Sequence, residues 1–304
     1  MPAVTQKIVK RRIKSIANTM KITKAMELVS AAKMRKAVQG ALSTRPFATL
    51  SWATITALSQ VVGGAKHPLL EENISATKKL LIVFTADRGL AGGFNANIIK
   101  ATMKWVGAVG TDPGISSIDV IAIGRRGADA LTRRGLNVIS RFEGLTNKPT
   151  FADLLPIGRQ ILESYLKKDY REVHIGYTDY ISGLIQKPRI YKLLPFSKPD
   201  VIGEESTGQI KDQPLRHGST EYLFEPDPQA VLNRVLPRLV ETMLYQALLE
   251  SAASEHSARM LAMRSASDAA KDMLSDLKFT YNQIRQSTIT REIAEISSGK
   301  AALE

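Results

Sequence analysis

Residues 7–38 read KIVKRRIKSIANTMKITKAMELVSAAKMRKAV, and the fold turns on this stretch. Val9, Ile13, Ile16 and Met20 recur at spacings of four, three and four, the period of a helix with one buried face. A second stripe, Ile22, Met26 and Val29, continues the pattern, drifting as an undistorted helix does against a 3.5-residue repeat. The pattern runs through Ala37 and Val38 and loosens at Gly40. A further helical stretch is expected over Pro46–Val61, closed by Gly63-Gly64 and Pro68.

A helix of this kind must bury its stripe, and a comparable helix lies at the far end of the chain. Glu225-Pro226-Asp227-Pro228 is a helix start, because proline costs least there and carboxylates favour the positive end of the dipole. From there to Ser297 no glycine intervenes, and the one interior proline, Pro237, kinks rather than ends the helix. At about 1.5 Å per residue such a helix spans on the order of 105 Å, far longer than one globular domain. Its middle is rich in small residues, among them Ala252, Ala253, Ser254, Ser257, Ala258, Ala262 and Ala266, which let a partner helix approach closely. Two helices so far apart in sequence form a core by returning to each other, as an antiparallel coiled coil.

Between them the period changes. Short apolar runs of strand type, Lys79–Thr85 (KLLIVFT), Ile118–Ile123 (IDVIAI), Asn137–Ser140 and Glu172–Thr178 (EVHIGYT), alternate with helical stretches over Asn95–Val106, Gly127–Arg134 and Phe151–Leu166. That order predicts a small α/β domain on a largely parallel sheet, with Pro188–Leu194 added at an edge. Residues 197–220, rich in Ser, Gly, Pro and charge, read as an exposed loop. The expected fold is therefore α/β plus a long antiparallel coiled coil: a helical shaft with a central Rossmann-like domain as its foot. Residues 1–62 and 222–304 form the shaft and 63–221 the body.

The chain of 304 residues has no cysteine, which excludes disulfides, thiolate metal sites and thiol catalysis. Its N-terminus lacks a secretory apolar region and runs straight into the first helix, so it reads as mature structure. No apolar run approaches the length of a membrane span. The net charge is +13. Residues 1–40 carry ten basic side chains and one acid, Glu27, so the first helix should seek an anionic surface: nucleic acid, lipid headgroups or an acidic protein. Residues 1–46 hold no Phe, Tyr or Trp, which weakens the nucleic-acid reading, since such grooves stack bases on aromatics.

Catalytic signatures are sparse. DRGLAGGFN, Asp87–Asn95, follows a strand and opens a helix, so it is either a phosphate cradle or a tight turn needing glycine backbone freedom. It matches neither nucleotide-binding glycine fingerprint. His67, His174, His217 and His256 are scattered, without metal spacing, and read as surface or core residues. No cofactor is expected. In Tyr281–Thr290 (YNQIRQSTIT), Arg285, Gln286 and Thr290 neighbour a face bearing Ile289, Ile293 and Ile296, a surface suited to a surrounding partner.

Taken in order, RIKSIANTMKITKAMELVSAAKMRKA (12–37), DRGLAGGFN (87–95), YLFEPDP (222–228), ASEHSARMLAMRSA (253–266) and YNQIRQSTITREIAEI (281–296) closely resemble the gamma subunits of F-type ATP synthases. The resemblance covers both terminal helices and the first turn of the body. It implies a non-catalytic rotor in the central stalk, coupling proton flow to ATP synthesis or hydrolysis. Its partners would be the alpha and beta subunits, the epsilon subunit and the membrane c-ring. Carried over residue by residue, Lys24 and Met26 fall near an acidic lever of a beta subunit. Arg259, Arg285, Gln286 and Thr290 fall among contacts to beta subunits, and Phe224 and Glu225 near the c-ring. Phe224 stands where many relatives have tyrosine. Without cysteine, the thiol control of plant chloroplast gamma chains is impossible. The start at Met1 favours a bacterial source, with the chain on the cytoplasmic face of the inner membrane. Two rivals from other classes are a basic coiled-coil nucleic-acid-binding protein and a small α/β enzyme with helical extensions.

Overall fold

A computed structural model describes residues 6–61, 67–112, 114–196 and 227–301. The chain divides into two compact units, Met1–Ser30 with Met260–Glu304, and Ala31–Arg259. Helices α1 (Gln6–Val61) and α5 (Pro228–Ala301) contribute to both.

In the first unit, burial follows a stricter rule than the one anticipated. The seam of α1 passes through Val9, Ile13, Ile16, Met20, Thr23, Glu27 and Ser30, alternating four and three without drift. That of α5 passes through Met260, Met263, Ser267, Ala270, Leu274, Leu277, Tyr281 and Ile284, alternating three and four. Both are unbroken heptads, the spacing of a left-handed supercoil. The second stripe is thereby corrected: Ile22 is 61% and Val29 55% exposed, and Thr23 and Ser30 hold the buried positions instead. Hydropathy alone misplaced the seam because its central positions are polar or small.

The second unit is built on a five-stranded sheet. β1 (Lys78–Phe84), β2 (Ser117–Ile123), β3 (Asn137–Phe142) and β4 (Glu172–Tyr180) are parallel, and β5 (Gln186–Leu194) adds antiparallel to β4, in the order β3-β2-β1-β4-β5. Strand β1 is apolar on both faces, as a central parallel strand must be. Its Leu81 and Val83 pack with Ile98 and Leu131 from helices α2 (Phe94–Val109) and α3 (Arg125–Thr132). Its Leu80, Ile82 and Phe84 face Leu154, Ile157 and Ile161 of α4 (Phe151–Leu166) and Leu236, Val240 and Leu244 of α5. Each such side chain, fully buried, contributes about 1.5–3 kcal/mol. Helix α4 meets α5 closely at Gly158, where an added Cβ would lie 3.2 Å from Glu241 Cγ.

Helix α1 is continuous through Gly40, where the pattern loosens, and Pro46, where a further helical stretch was expected to start. A single proline removes one backbone donor but does not end a helix whose neighbours remain paired. Helix α5 likewise passes Pro237, and its first turn is capped by Asp227, whose Oδ1 accepts the Ala230 N–H at 2.8 Å. Within the second unit the two helices run antiparallel. Ala41 meets Gln246, Gly40 meets Leu249, and Ala37 packs with Ala252 and Ala253, one number falling as the other rises. The expected loop over 197–220 lies outside the described residues, as does Gly63-Gly64.

Candidate functional site

The C-terminal ends of β1 and β4 flank the point where strand order reverses, the place where open α/β sheets take their ligands. Here that crevice is filled from within. Ser251 Oγ accepts the Thr178 N–H at 3.3 Å, Ser254 Oγ donates to the Thr178 carbonyl at 3.1 Å, and Glu250 Oε2 accepts the Tyr180 N–H at 3.2 Å. Ser257 Oγ donates to the Gly183 carbonyl at 2.7 Å. From Gln246 to Ser257 every residue of α5 is buried, with α1 against one side and β4 against another. The small residues of this stretch make room for both neighbours.

The DRGLAGGFN loop is equally engaged. The amides opening α3 are taken up inside the chain: Arg125 N–H by Asp87 Oδ1 at 3.1 Å, Arg126 N–H by the Ala86 carbonyl at 3.1 Å, and Gly127 N–H by Thr85 Oγ1 at 2.9 Å. Asp87 Oδ2 also accepts from Gly144 N–H at 2.8 Å, and Asn95 Oδ1 from Ala86 N–H at 2.9 Å. A carboxylate and a hydroxyl from the β1 end thus cap α3, while α2, the helix the loop opens, begins with the Phe94 N–H on the Ala91 carbonyl at 3.1 Å. The loop itself turns tightly: with Leu90 at φ +62° and Gly92 at φ +52°, the Gly89 carbonyl faces α5.

That carbonyl meets Arg259. The guanidinium donates to Gly89 O at 3.3 and 3.4 Å and pairs with Glu255 Oε1 at 2.7 Å, with His256 Nδ1 3.3 Å from it. Arg259 is 8% exposed, so its charge is committed within the chain rather than presented to a partner surface as expected. Burial pushes the Glu255 carboxyl up, against the pull of Arg259. Burial and the neighbouring guanidinium lower the His256 imidazole to about 4. The signal in the sequence was the Glu255/Arg259 spacing of four among serines and alanines, an ion pair on one helix face. Of the histidines, His67, His174 and His256 are buried, and His217 lies outside the described residues.

The remaining site residues fall elsewhere. In the first unit Lys24 is exposed and pairs with Glu27 at 2.9 Å, Met26 is half-buried, and Ile22, Leu28 and Val29 stand in solvent beside them. Every residue from Arg285 to Ser298 is exposed, including Arg285, Gln286, Thr290 and the apolar Ile289, Ile293 and Ile296. Among the described residues the seam of α5 ends at Ile284. Phe224 and Glu225 lie outside the described residues. Among the described residues no cluster of His, Asp and Glu could hold a metal ion, and no helix is long and apolar enough to cross a membrane.

The second unit is thus an α/β body whose switch-point crevice is occupied by α5, and the first is a pair of helices carrying heptad seams. The family model described as ATP synthase matches residues 5–303. The ATP synthase gamma chain of Herpetosiphon aurantiacus is 41% identical, covering 97% of each chain. That of Pelotomaculum thermopropionicum is 40% identical over 97% of this chain and 98% of its own. Among solved structures, a chain of the Euglena gracilis mitochondrial ATP synthase (OSCP/F1/c-ring) aligns with a TM-score of 0.63 at 16% identity, over 98% of this chain and 94% of that one. The central stalk/c-ring structure of the Tetrahymena thermophila mitochondrial ATP synthase aligns at 0.55 and 22% identity, over 81% and 99%. The chain belongs to the ATP synthase gamma chain family. Its members are non-catalytic subunits of the synthase, and these relatives lend no support to a nucleic-acid-binding role.

Proposed function

We propose that this chain is the central-stalk rotor of an F-type ATP synthase, converting rotation driven by the membrane sector into conformational change at the alpha and beta subunits. The observation that carries this reading is the exposed end of α5: fourteen consecutive exposed residues, Arg285–Ser298, beyond the last seam position among the described residues. An isolated helix of that length is marginal in water, and three isoleucines on it would be costly to leave wet. A surrounding bearing made by the catalytic head resolves both. Arg285, Gln286 and Thr290 supply hydrogen bonds to beta-subunit loops there. Lys24 and Met26 lie on the face that meets an acidic beta lever, with the N-terminal basic charge supplying attraction.

Residues 222–225, with Phe224 and Glu225, are assigned to the c-ring side, shared with the epsilon subunit. The body then sits peripherally at the cytoplasmic face of a bacterial inner membrane. Differential contact of an asymmetric rod with three beta subunits shifts each towards a different state, and no chemistry is required of the rod itself.

Reconstitution with alpha and beta subunits tests this. The isolated chain should hydrolyse no ATP, and the assembled complex should turn a probe attached to the chain when ATP is supplied. Hydrolysis in the assembled complex with a stationary chain would overturn the rotor reading.

A further inference from the structure

Where α1 and α5 meet in the second unit, their contact is smooth where alanine faces alanine and carries one large side chain, Leu249, seated on Gly40. Ala37 lies against Ala252 and Ala253, and Gly40 sits so near Leu249 that an added Cβ would come within 3.2 Å of Leu249 Cδ2. Knobs-into-holes packing resists sliding by interlocking large side chains, and alanine and glycine provide little to interlock. Yet this is the segment where the sheet, α1 and α5 all adjoin.

A short polar chain crosses that smooth contact. Thr44 Oγ1 donates to Gln246 Oε1; Gln246 Nε2 donates to the Ala41 carbonyl at 3.2 Å and to Glu250 Oε1 at 2.9 Å; Glu250 Oε2 accepts the Tyr180 N–H at 3.2 Å. Gln246 and Glu250 are each 0% exposed. Three elements are thereby tied through one glutamine: α1 by a hydroxyl and a carbonyl, α5 by a neighbour one turn on, and β4 through that neighbour. The bonds are directional. Moving α1 by one residue along α5 would leave a buried amide without its partners, which a low-dielectric interior penalises. Polar side chains in an apolar helix seam are the best-attested means of fixing register, and they do so at some expense in stability.

We propose that Gln246, with Thr44 and Glu250, is a torsion joint: it holds α1 and α5 in register under load and fastens both to the sheet, so that rotation of the body is passed on without slip. The proposal rests on the rotor reading and makes Gln246 a positioning residue, not a contact to any partner.

The test uses the complete synthase reconstituted in vesicles, with the chain carrying Thr44→Val and Gln246→Leu. The expected result is retained ATP hydrolysis, a loss of protons pumped per ATP, and a thermal midpoint equal to or above that of the unsubstituted chain. In a second variant, Gly40→Cys and Leu249→Cys are added; the chain has no other cysteine, and oxidation should restore pumping by replacing the joint with a covalent one. Unchanged pumping per ATP in the first variant overturns the joint. So does a pumping loss that tracks a lowered thermal midpoint and persists after oxidation, since that marks ordinary packing. If the unsubstituted complex hydrolyses ATP but pumps no protons, the rotor reading itself fails.

Discussion

Arg259 Nη1 lies 2.7 Å from Glu255 Oε1, one helical turn away, with both side chains nearly sealed from water. Arg259 also holds the Gly89 carbonyl, so this pair pins the loop after β1 to α5. Removing one member strands a buried charge. Arg259→Ala is expected to lower stability by about 3–5 kcal/mol, whereas Glu255→Leu with Arg259→Met should recover most of that loss. Urea unfolding of the three variants checks it.

Arg285 and Gln286 stand on the exposed end of α5, outside its seam. Arg285→Ala with Gln286→Ala should leave urea unfolding within about 0.5 kcal/mol of the unsubstituted chain. In the reconstituted complex the same variant should lower ATPase activity, each lost charged hydrogen bond being worth about 1.5–3 kcal/mol. Unchanged activity would remove these residues from the contact set.

Gly124 closes β2 at φ +97°, and a Cβ there would lie 2.0 Å from the Thr85 carbonyl oxygen. Neither the backbone conformation nor the space accepts alanine. Gly124→Ala should destabilise the chain by about 4 kcal/mol or more, the range reserved for strain combined with overpacking. Its thermal midpoint, measured beside that of Gly135→Ala, isolates the clash, because Gly135 has positive φ but open space around its Cβ position.

His174 is buried against Trp105, ring centroids 4.7 Å apart, with Nε2 3.7 Å from Glu172. Burial, with Lys79 and Lys192 adding to it and Glu172 opposing, lowers its pKa to about 4. The unfolded chain binds this proton near pH 6.5 and the folded chain does not, so the stability it contributes is full above about 6.5 and falls as pH drops towards 4. The loss across that window is on the order of 3 kcal/mol. His174→Phe should flatten the pH dependence of urea midpoints between about pH 7 and 5, with His256, displaced in the same direction, retaining its own part.

Much of this architecture was legible in the residues. The strand-type runs near Leu80, Val120 and Ile175 all fall in the sheet, because a central parallel strand is apolar on both faces and bounded by turns. The antiparallel return of α5 followed from Val9, Ile13 and Ile16 needing a distant partner. What eluded reading was decided by tertiary context. Thr23 and Ser30 occupy seam positions that hydropathy assigns to Ile22 and Val29, since heptad geometry, not side-chain polarity, fixes which face turns inward. Arg259 looks like a surface arginine until the Gly89 carbonyl, 170 residues away in sequence, is seen to approach it. Thr85 and Asp87 gave no hint that they would occupy the amides of α3.

The uninterrupted seven-residue spacing of the first unit carries a further consequence for how a rod behaves under torque. A supercoil has a hand, so twisting it one way winds the two strands more tightly together and twisting it the other way eases them apart. Resistance to the two senses is therefore unequal, and a motor running forwards and backwards through this spring would feel a different stiffness in each direction.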